Sequence, residues 1–189
     1  MSAARLHNRV RIVGGTWRSR LLRFPDVPGL RPSPDRVRET VFNWLGQDLT
    51  GRACLDLFAG SGALGFEAAS RNARQVTMVE SDLRAVRALQ DNARALDAGA
   101  VHVVRVDALE FLRSDRSAYD VVFLDPPYAK ADRDALLRCV RERMAPGAFL
   151  YVESNEPLPA FEGWDVFRRA RAGDVHFQLL QSAAESMAK

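Results

Sequence analysis

The sequence lacks any long uninterrupted run of apolar residues. No run approaches the roughly 18 residues that a helix needs to cross a bilayer, and residues 1–9 contain no apolar signal core. We therefore expect no membrane association and a cytoplasmic location. With 189 residues, the chain is long enough to bury its own core, so one domain suffices.

Cysteine and histidine are also scarce. The only cysteines are Cys54 and Cys139, and the three histidines are scattered along the chain, at His7, His102 and His176. A structural zinc ion needs several such ligands close together, so we expect no metal site. Each cysteine lies within an apolar pattern and is expected to be a buried filler.

Lysine is nearly absent, so arginine supplies almost all of the positive charge, and its distribution is uneven. Residues 1–52 contain 10 arginines and 4 acidic residues, whereas residues 53–189 contain 17 basic and 20 acidic residues. Clustered arginine attracts a phosphate backbone through counterion release, and the indoles of Trp17 and Trp44 offer surfaces on which bases stack. We interpret this region as a nucleic-acid contact; the alternative is an arginine-rich surface that is merely solvated.

Residues 1–51 are predicted to form an N-terminal basic extension. Alternating apolar residues around a glycine pair predict a hairpin over 11–24, and four prolines exclude regular structure from 25 to 34. A helical pattern follows, with Ser33 or Asp35 as its cap. No regular structure is expected over residues 1–10, and the extension is too short for a core of its own.

From residue 52 to 182, apolar strands alternate with amphipathic helices, which is typical of a parallel sheet covered on both faces. The predicted strands are 53–58, 75–80, 101–106, 119–125 and 148–153, followed by a hairpin of 164–170 and 175–181. This pattern predicts an α/β fold of the Rossmann-like kind, with a seven-stranded, mostly parallel sheet whose last strand is antiparallel.

The first of these strands runs into three glycines, Gly60, Gly62 and Gly65, and then into a helix. Glycine lets the backbone approach a ligand closely, and the free N–H groups of a new helix favour an anionic group. Literally, this spacing is the dinucleotide pattern, with Glu80 about 20 residues further on. Asp56 argues against a dinucleotide site, because a negative charge in this strand would not help the loop to bind a pyrophosphate.

Four predicted strands end at or next to an acidic residue, namely Asp56, Glu80, Asp107 and Asp125. The carboxyl ends of parallel strands share one edge of the sheet, where ligands bind. Carboxylates gathered there repel one another unless a ligand with donors and positive charge lies between them. The alternative for each acid alone is a helix cap or a solvated turn residue.

The stretch Asp125-Pro126-Pro127-Tyr128 ends the fourth strand. Two prolines remove two N–H donors, so this loop presents acceptors, as an exocyclic amine requires. The Asp125 carboxylate and the Pro126 carbonyl can hold such an amine and stabilise the positive charge that develops on its nitrogen. Tyr128 can stack on a base taken out of its helix. The alternative is a rigid turn with a core tyrosine.

Together these motifs resemble the class I S-adenosylmethionine-dependent methyltransferases, and Asp-Pro-Pro-Tyr resembles the signature of those that methylate exocyclic amines of bases. With the segments 11–20 and 30–45, the chain is similar more narrowly to the bacterial 16S ribosomal RNA guanine-N2 methyltransferases of the RsmD family. The resemblance covers roughly residues 11–180.

The resemblance implies S-adenosylmethionine as cofactor and ribosomal RNA of the small subunit as partner. The chain is expected to be a monomer. The implied catalytic residues are Asp125, Pro126, Pro127 and Tyr128. The implied cofactor-binding residues are Asp56, Phe58, Ala59, Gly60, Ser61, Gly62, Glu80, Ser81, Asp107, Ala108 and Asp125. Within the basic extension, the residues expected to contact RNA are Arg11, Trp17, Arg18, Arg20, Arg31, Arg36 and Arg38.

Three other functions share some of these sequence features. Adenine-N6 methylation uses a similar motif, but such enzymes usually carry a long target-recognition region, for which this chain has no room. A non-catalytic ribosome-assembly protein would not require the intact motif at 125–128. A nicotinamide oxidoreductase would fit the glycine spacing but not Asp56.

Overall fold

The N-terminal segment forms a small hairpin and one helix. The computed structural model describes residues 8–126, 133–156 and 159–182. Strands β1 (Asn8–Arg11) and β2 (Leu21–Phe24) pair antiparallel, and helix α1 spans Asp35–Trp44. The prediction of no regular structure over residues 1–10 is wrong for residues 8–10, because β1 starts at Asn8.

Between Ala53 and Ser182, the described residues form a seven-stranded sheet and the four helices that pack on it. Its elements are β3 (Ala53–Asp56), α2 (Ala63–Ser70), β4 (Gln75–Glu80), α3 (Leu83–Ala95), β5 (Val101–Arg105), α4 (Ala108–Ser114), β6 (Tyr119–Leu124), α5 (Arg133–Arg141), β7 (Met144–Ser154), β8 (Trp164–Ala172) and β9 (Val175–Ser182). The strand order is β5-β4-β3-β6-β7-β9-β8. Only β9 runs antiparallel to its neighbours, which confirms the prediction of a mostly parallel sheet with an antiparallel last strand.

The sheet separates two hydrophobic clusters, as expected for strands buried on both faces. Phe123 and Tyr151 point to one face, where they meet Phe42 of α1 and Phe66 of α2. Leucines and valines of the same strands point to the other face, towards α4 and α5. None of the helices in the described ranges is both long and apolar enough to span a bilayer.

The hairpin docks on the end of α2 through backbone contacts. Thr16 N donates to the Ser70 carbonyl at 2.7 Å, and Trp17 N donates to Ser70 Oγ at 2.9 Å. Ser70 Oγ in turn donates to the Gly14 carbonyl at 2.6 Å. The hairpin can come this close only because Gly15 has no side chain. A Cβ at this position would lie 1.9 Å from the Ser70 carbonyl oxygen. The glycine pair of the hairpin therefore allows the hairpin to pack directly against the end of α2.

The Gly15→Ala variant is expected to unfold at a clearly lower urea concentration than the wild type. Its Cβ would overlap backbone that cannot shift cheaply, in addition to the strain of a φ of +74°. Gly29→Ala is the matched control, since Gly29 has a φ of +83° with nothing within 4 Å of an added Cβ. We expect about 1–2 kcal/mol from the φ strain alone at Gly29 and more than that at Gly15. Equal losses would show that the contact with Ser70 does not hold the hairpin.

A buried ion cluster joins α1 to α2. Arg38 and Glu67 are both fully buried, and Arg38 Nη1 donates to Glu67 Oε2 at 3.1 Å. Arg71 donates to the other oxygen of Glu67 through Nε at 3.1 Å and Nη2 at 2.9 Å. Val13 N completes the shell of Glu67 with a hydrogen bond of 2.8 Å to Oε2. Hairpin, α1 and α2 are therefore held by one carboxylate.

Helix α1 does not begin as the sequence suggested. Its N-cap residue is Pro34, and no side chain caps the helix. Neither Ser33 nor Asp35 acts as the cap, because both side chains form hydrogen bonds with other side chains. The Ser33 hydroxyl donates to Glu153 at 2.9 Å, and Asp35 accepts from Arg11 and Arg38.

Candidate active site

Five neighbouring strands end in carboxylates along one edge of the sheet. In strand order from β5 to β7, the acidic residues at the strand ends, or within two positions of them, are Asp107, Glu80, Asp56, Asp125 and Glu153. The first four were singled out from the sequence. Glu153 was missed, although it ends the fifth predicted strand and so carried the same signal. The edge at which these strands end, called the acidic rim below, is the candidate site.

The glycine turn has the conformation that its sequence predicts. Gly60 and Gly62 adopt φ values of +49° and +79°, and Gly62 is the N-cap of α2. A Cβ on Gly62 would lie 2.6 Å from the Phe66 ring and from Leu89. A Cβ on Gly65 would lie 2.4 Å from Met78, so this third glycine lets α2 pack closely on β4.

Asp56 is buried beneath this turn. Its Oδ2 accepts from Gly65 N at 3.0 Å, so the carboxylate holds the first turn of α2. Burial raises the pKa of Asp56 to about 7, and the charge of Glu80 adds to the rise, while the hydrogen bond from Gly65 opposes it. A positively charged ligand at the rim would offset this cost and favour the ionised form.

Glu80 is held by three backbone amides. Its Oε2 accepts from Gly60 N at 2.9 Å, and its Oε1 accepts from Ser81 N and Asp82 N at 2.8 Å each. The carboxylate therefore ties the glycine turn to the end of β4 and is fixed in orientation. A fixed acceptor of this kind suits neutral hydroxyl donors such as those of a ribose.

The remaining cofactor-binding candidates lie around the same turns. Asp107 is the N-cap of α4, accepting from Leu109 N at 2.9 Å and Glu110 N at 3.2 Å, so the capping role weighed for it is present. Its side chain is exposed, and Ala108 beside it is buried. Of the other candidates, Ala59 and Ser61 are buried, Phe58 is half-buried and Ser81 is exposed.

Asp125 follows β6 directly and lies between two other carboxylates. Burial raises its pKa well above the usual range, and the charges of Glu153 and Asp56 raise it further. Its carboxyl group therefore takes up a proton far more readily than an exposed aspartate. Pro126 is buried, whereas Pro127 and Tyr128 lie outside the described residues.

Glu153 connects this edge to the N-terminal extension. The residue is buried, and its Oε2 accepts from the Ser33 hydroxyl at 2.9 Å and the Tyr151 hydroxyl at 2.5 Å. The Ser33 carbonyl accepts from Arg38 Nε at 3.1 Å. The proline loop is thus anchored beside Asp125 by two buried hydrogen bonds.

The predicted RNA contacts divide into surface and interior residues. Five of the arginines are exposed, namely Arg11, Arg18, Arg20, Arg31 and Arg36, and Trp17 is half-buried against the core. The structure corrects the prediction for Arg38. Its side chain has no exposed surface, and its guanidinium is used by Ser33, Asp35 and Glu67, so it cannot reach RNA.

A cleft of about 480 Å³ lies between the hairpin, α1 and the end of α2. It is lined by Val13, Gly14, Gly15, Arg18, Glu39, Asn43, Gln47 and Arg71. None of these residues belongs to the acidic rim, so the cleft is separate from the candidate site. Within the described ranges, no cluster of histidine, cysteine and acidic residues could hold a metal ion.

Comparison with known proteins identifies the family. Residues 10–181 match the family model described as conserved hypothetical protein 95. The chain belongs to this family. One relative, the ribosomal RNA small subunit methyltransferase D of Escherichia coli K12, is 41% identical over 182 residues, covering 94% of this chain and 92% of that protein. The resemblance stated from the motifs is therefore confirmed.

Solved structures agree with this membership. A putative methyltransferase from Escherichia coli superposes with a TM-score of 0.83 at 38% identity, covering 94% of this chain and 100% of that one. The Thermus thermophilus 16S rRNA N2 G1207 methyltransferase, solved with AdoMet and guanosine, gives a TM-score of 0.73 at 23% identity over 94% of this chain and 50% of that one. The latter likeness concerns the fold. The predicted class I methyltransferase fold is confirmed.

Proposed function

We propose that this protein transfers a methyl group from S-adenosylmethionine to the exocyclic N2 amine of a guanine in 16S ribosomal RNA of the small subunit. The observation that carries the proposal is the position of Asp125 at the end of β6, between Asp56 and Glu153. Such a group of acceptors suits a ligand pair made of a cation and an amine. The names of the relatives, which are small-subunit rRNA methyltransferases, support the same conclusion.

S-adenosylmethionine, when bound, supplies a methyl group on a positively charged sulfur, which the amine nitrogen takes as the carbon–sulfur bond breaks. The chain offers a fitting donor and acceptor set for it. The buried Asp56 beneath the glycine turn suits the charged methionine end, and the fixed carboxylate of Glu80 suits the ribose hydroxyls. We assign Asp107 and Ala108 to the adenine.

Asp125 holds the target amine and takes its surplus proton. A methylated amine carries one proton too many, and that proton moves to the Asp125 carboxylate as the neutral product forms. The raised pKa of Asp125 suits this role, because a carboxylate that binds protons readily is the better base. The Pro126 carbonyl is the second acceptor that we assign to the amine.

RNA contact is assigned to the exposed arginines of the extension. Arg31 and Arg36 flank Ser33, which is bonded to Glu153, so they lie on the segment of the extension nearest to Asp125. Arg18 and Arg20 lie on the hairpin, which is docked at the far end of α2. Phosphate contacts along this path would position the substrate without selecting its sequence.

The double variant Arg31→Gln/Arg36→Gln is expected to bind ribosomal RNA more weakly and with a flatter salt dependence. Each lost phosphate contact lowers the slope of log K against log salt by about 0.7–0.9, so the pair should lower it by about 1.5. Binding titrations between low and physiological salt measure the slope. Arg113→Gln, an exposed change on α4 at the opposite face, is the control and should leave the slope unchanged. Equal slopes for the double variant and the wild type would place the RNA surface elsewhere.

Methyl transfer to small ribosomal subunits that lack base methylation tests the function directly. Labelled S-adenosylmethionine supplies the methyl group, and nucleoside analysis identifies the product. We expect N2-methylguanosine at one position of the 16S RNA. N6-methyladenosine as product would favour the adenine alternative, and cofactor binding without transfer would favour a non-catalytic assembly role.

A further inference from the structure

Asp125, directly after β6, and Glu153 of β7 lie at corresponding positions beyond the paired part of these two parallel strands. The last paired residues of β6 and β7 are Leu124 and Val152, so Asp125 and Glu153 come next in the same register. Side chains alternate along strands, and the rings of Phe123 and Tyr151 contact each other on one face, with centroids 6.2 Å apart. The two carboxylates therefore project from the same face, with backbones about 4.8 Å apart.

The orientation of the Glu153 carboxylate is fixed from one side only. Both hydroxyl donors, Ser33 and Tyr151, end on Oε2. Among the hydrogen bonds between residues of the described ranges, none is seen to end on Oε1. A carboxylate that is buried, oriented and bonded through one oxygen has acceptor capacity left on the other.

Guanine and adenine differ at the ring atom beside the amine. In guanine, N1 carries a hydrogen and lies next to the carbon that bears the N2 amine, so the edge presents adjacent donors. In adenine, N1 next to the N6-bearing carbon has a lone pair and accepts. A carboxylate facing N1 therefore attracts guanine and repels adenine.

We propose that Glu153 selects guanine over adenine by accepting the N1 hydrogen of the target base at Oε1, while Asp125 holds the amine. This inference rests on the proposed function and adds to it a residue that determines the base. It accounts for the choice between guanine and adenine, which the Asp-Pro-Pro-Tyr motif does not determine. It also gives the hydrogen bond from Ser33 a role, since that contact fixes the direction of the selecting carboxylate.

The test compares two bases that share the reacting amine. 2-Aminopurine keeps the 2-amino group but has no hydrogen on N1. Small subunits are reconstituted from RNA that carries guanine or 2-aminopurine at the methylated position, and kcat/KM is measured for each. We expect the wild type to prefer guanine by 100-fold or more, on the order found where a polar group loses its partner. In Glu153→Gln, whose amide can donate to N1, we expect the preference to fall at least about tenfold.

Tyr151→Phe separates base selection from support of the site. It removes one donor to Oε2 and leaves the carboxylate, so its rate is expected to fall while its preference for guanine persists. The ratio of two kcat/KM values within one preparation does not depend on the fraction of folded enzyme. A Glu153→Gln enzyme that keeps the wild-type preference would overturn the inference and leave the proposed function intact. A wild type that methylates only adenine, or neither base, would overturn both.

Discussion

Asp125→Ala is expected to lower kcat for methyl transfer by about 100- to 1,000-fold, the range found when one preorganised charge-stabilising group is removed. Asp125 lies at the end of β6 between Asp56 and Glu153, and in the proposed reaction its carboxylate both holds the amine and accepts its proton. In this variant, the positive charge that the proposed reaction develops on nitrogen would lack the counter-charge of Asp125. Single-turnover transfer of labelled methyl groups to small subunits measures the effect.

The affinity of this variant for S-adenosylmethionine decides how the loss is interpreted. Asp56 and Glu80 are held by the glycine turn and not by Asp125, so we expect cofactor affinity to change by less than about threefold, or under 0.7 kcal/mol. Asp97→Asn is the control for loss of a carboxylate, because Asp97 is exposed in a turn at a φ of +52°, which asparagine tolerates. A parallel loss of cofactor affinity and of kcat would make Asp125 a structural residue.

Arg38→Met is expected to reduce the free energy of unfolding by about 3 kcal/mol, since removing one partner of a buried ion pair leaves the other charge uncompensated. Glu67 is fully buried and loses its bond to Arg38 Nη1, while Asp35 and the Ser33 carbonyl lose theirs. Arg71 still pairs with Glu67, which keeps the loss at the low end of the range. Urea denaturation followed by circular dichroism measures it.

Arg36→Met is the matched control for that experiment. Arg36 is two residues away on the same helix, and its side chain is exposed, so we expect a change within about 0.5 kcal/mol. RNA binding should show the reverse order. Arg36→Met should weaken it, because Arg36 faces solvent, whereas Arg38→Met should not, because Arg38 is buried. A loss under about 1 kcal/mol for Arg38→Met would mean that Glu67 finds another partner or reaches water.

The main elements of the sheet were predictable because their signals are local. Buried parallel strands appear as short apolar runs, and the strand around Leu55 ends at a glycine turn whose conformation only glycine adopts readily. Boundaries were less accurate. The strand predicted over 148–153 extends as β7 from Met144 to Ser154, since its pairing with β6 and β9 continues beyond the apolar run.

The acids of the rim were predictable for a similar reason. A carboxylate at the end of a parallel strand lies at the ligand-binding edge whatever the details of packing, so Asp56, Glu80, Asp107 and Asp125 could be assigned from position alone. The hydrogen bonds and burial of each of these acids could not be predicted from the sequence. The hydrogen bond from Gly65 to Asp56 and the three amides on Glu80 depend on how the glycine turn closes over two strands.

The sequence by itself thus determined the α/β fold, the glycine turn, four of the five acids of the acidic rim and the family. Only the tertiary structure decided which polar residues are interior. Arg38 looked like a surface arginine until Glu67, 29 residues away, was placed against it. Ser33 looked like a helix cap until the sheet brought Glu153 to it from 120 residues away. Periodicity and turn chemistry act between near neighbours, whereas these hydrogen bonds exist only once distant segments have packed together.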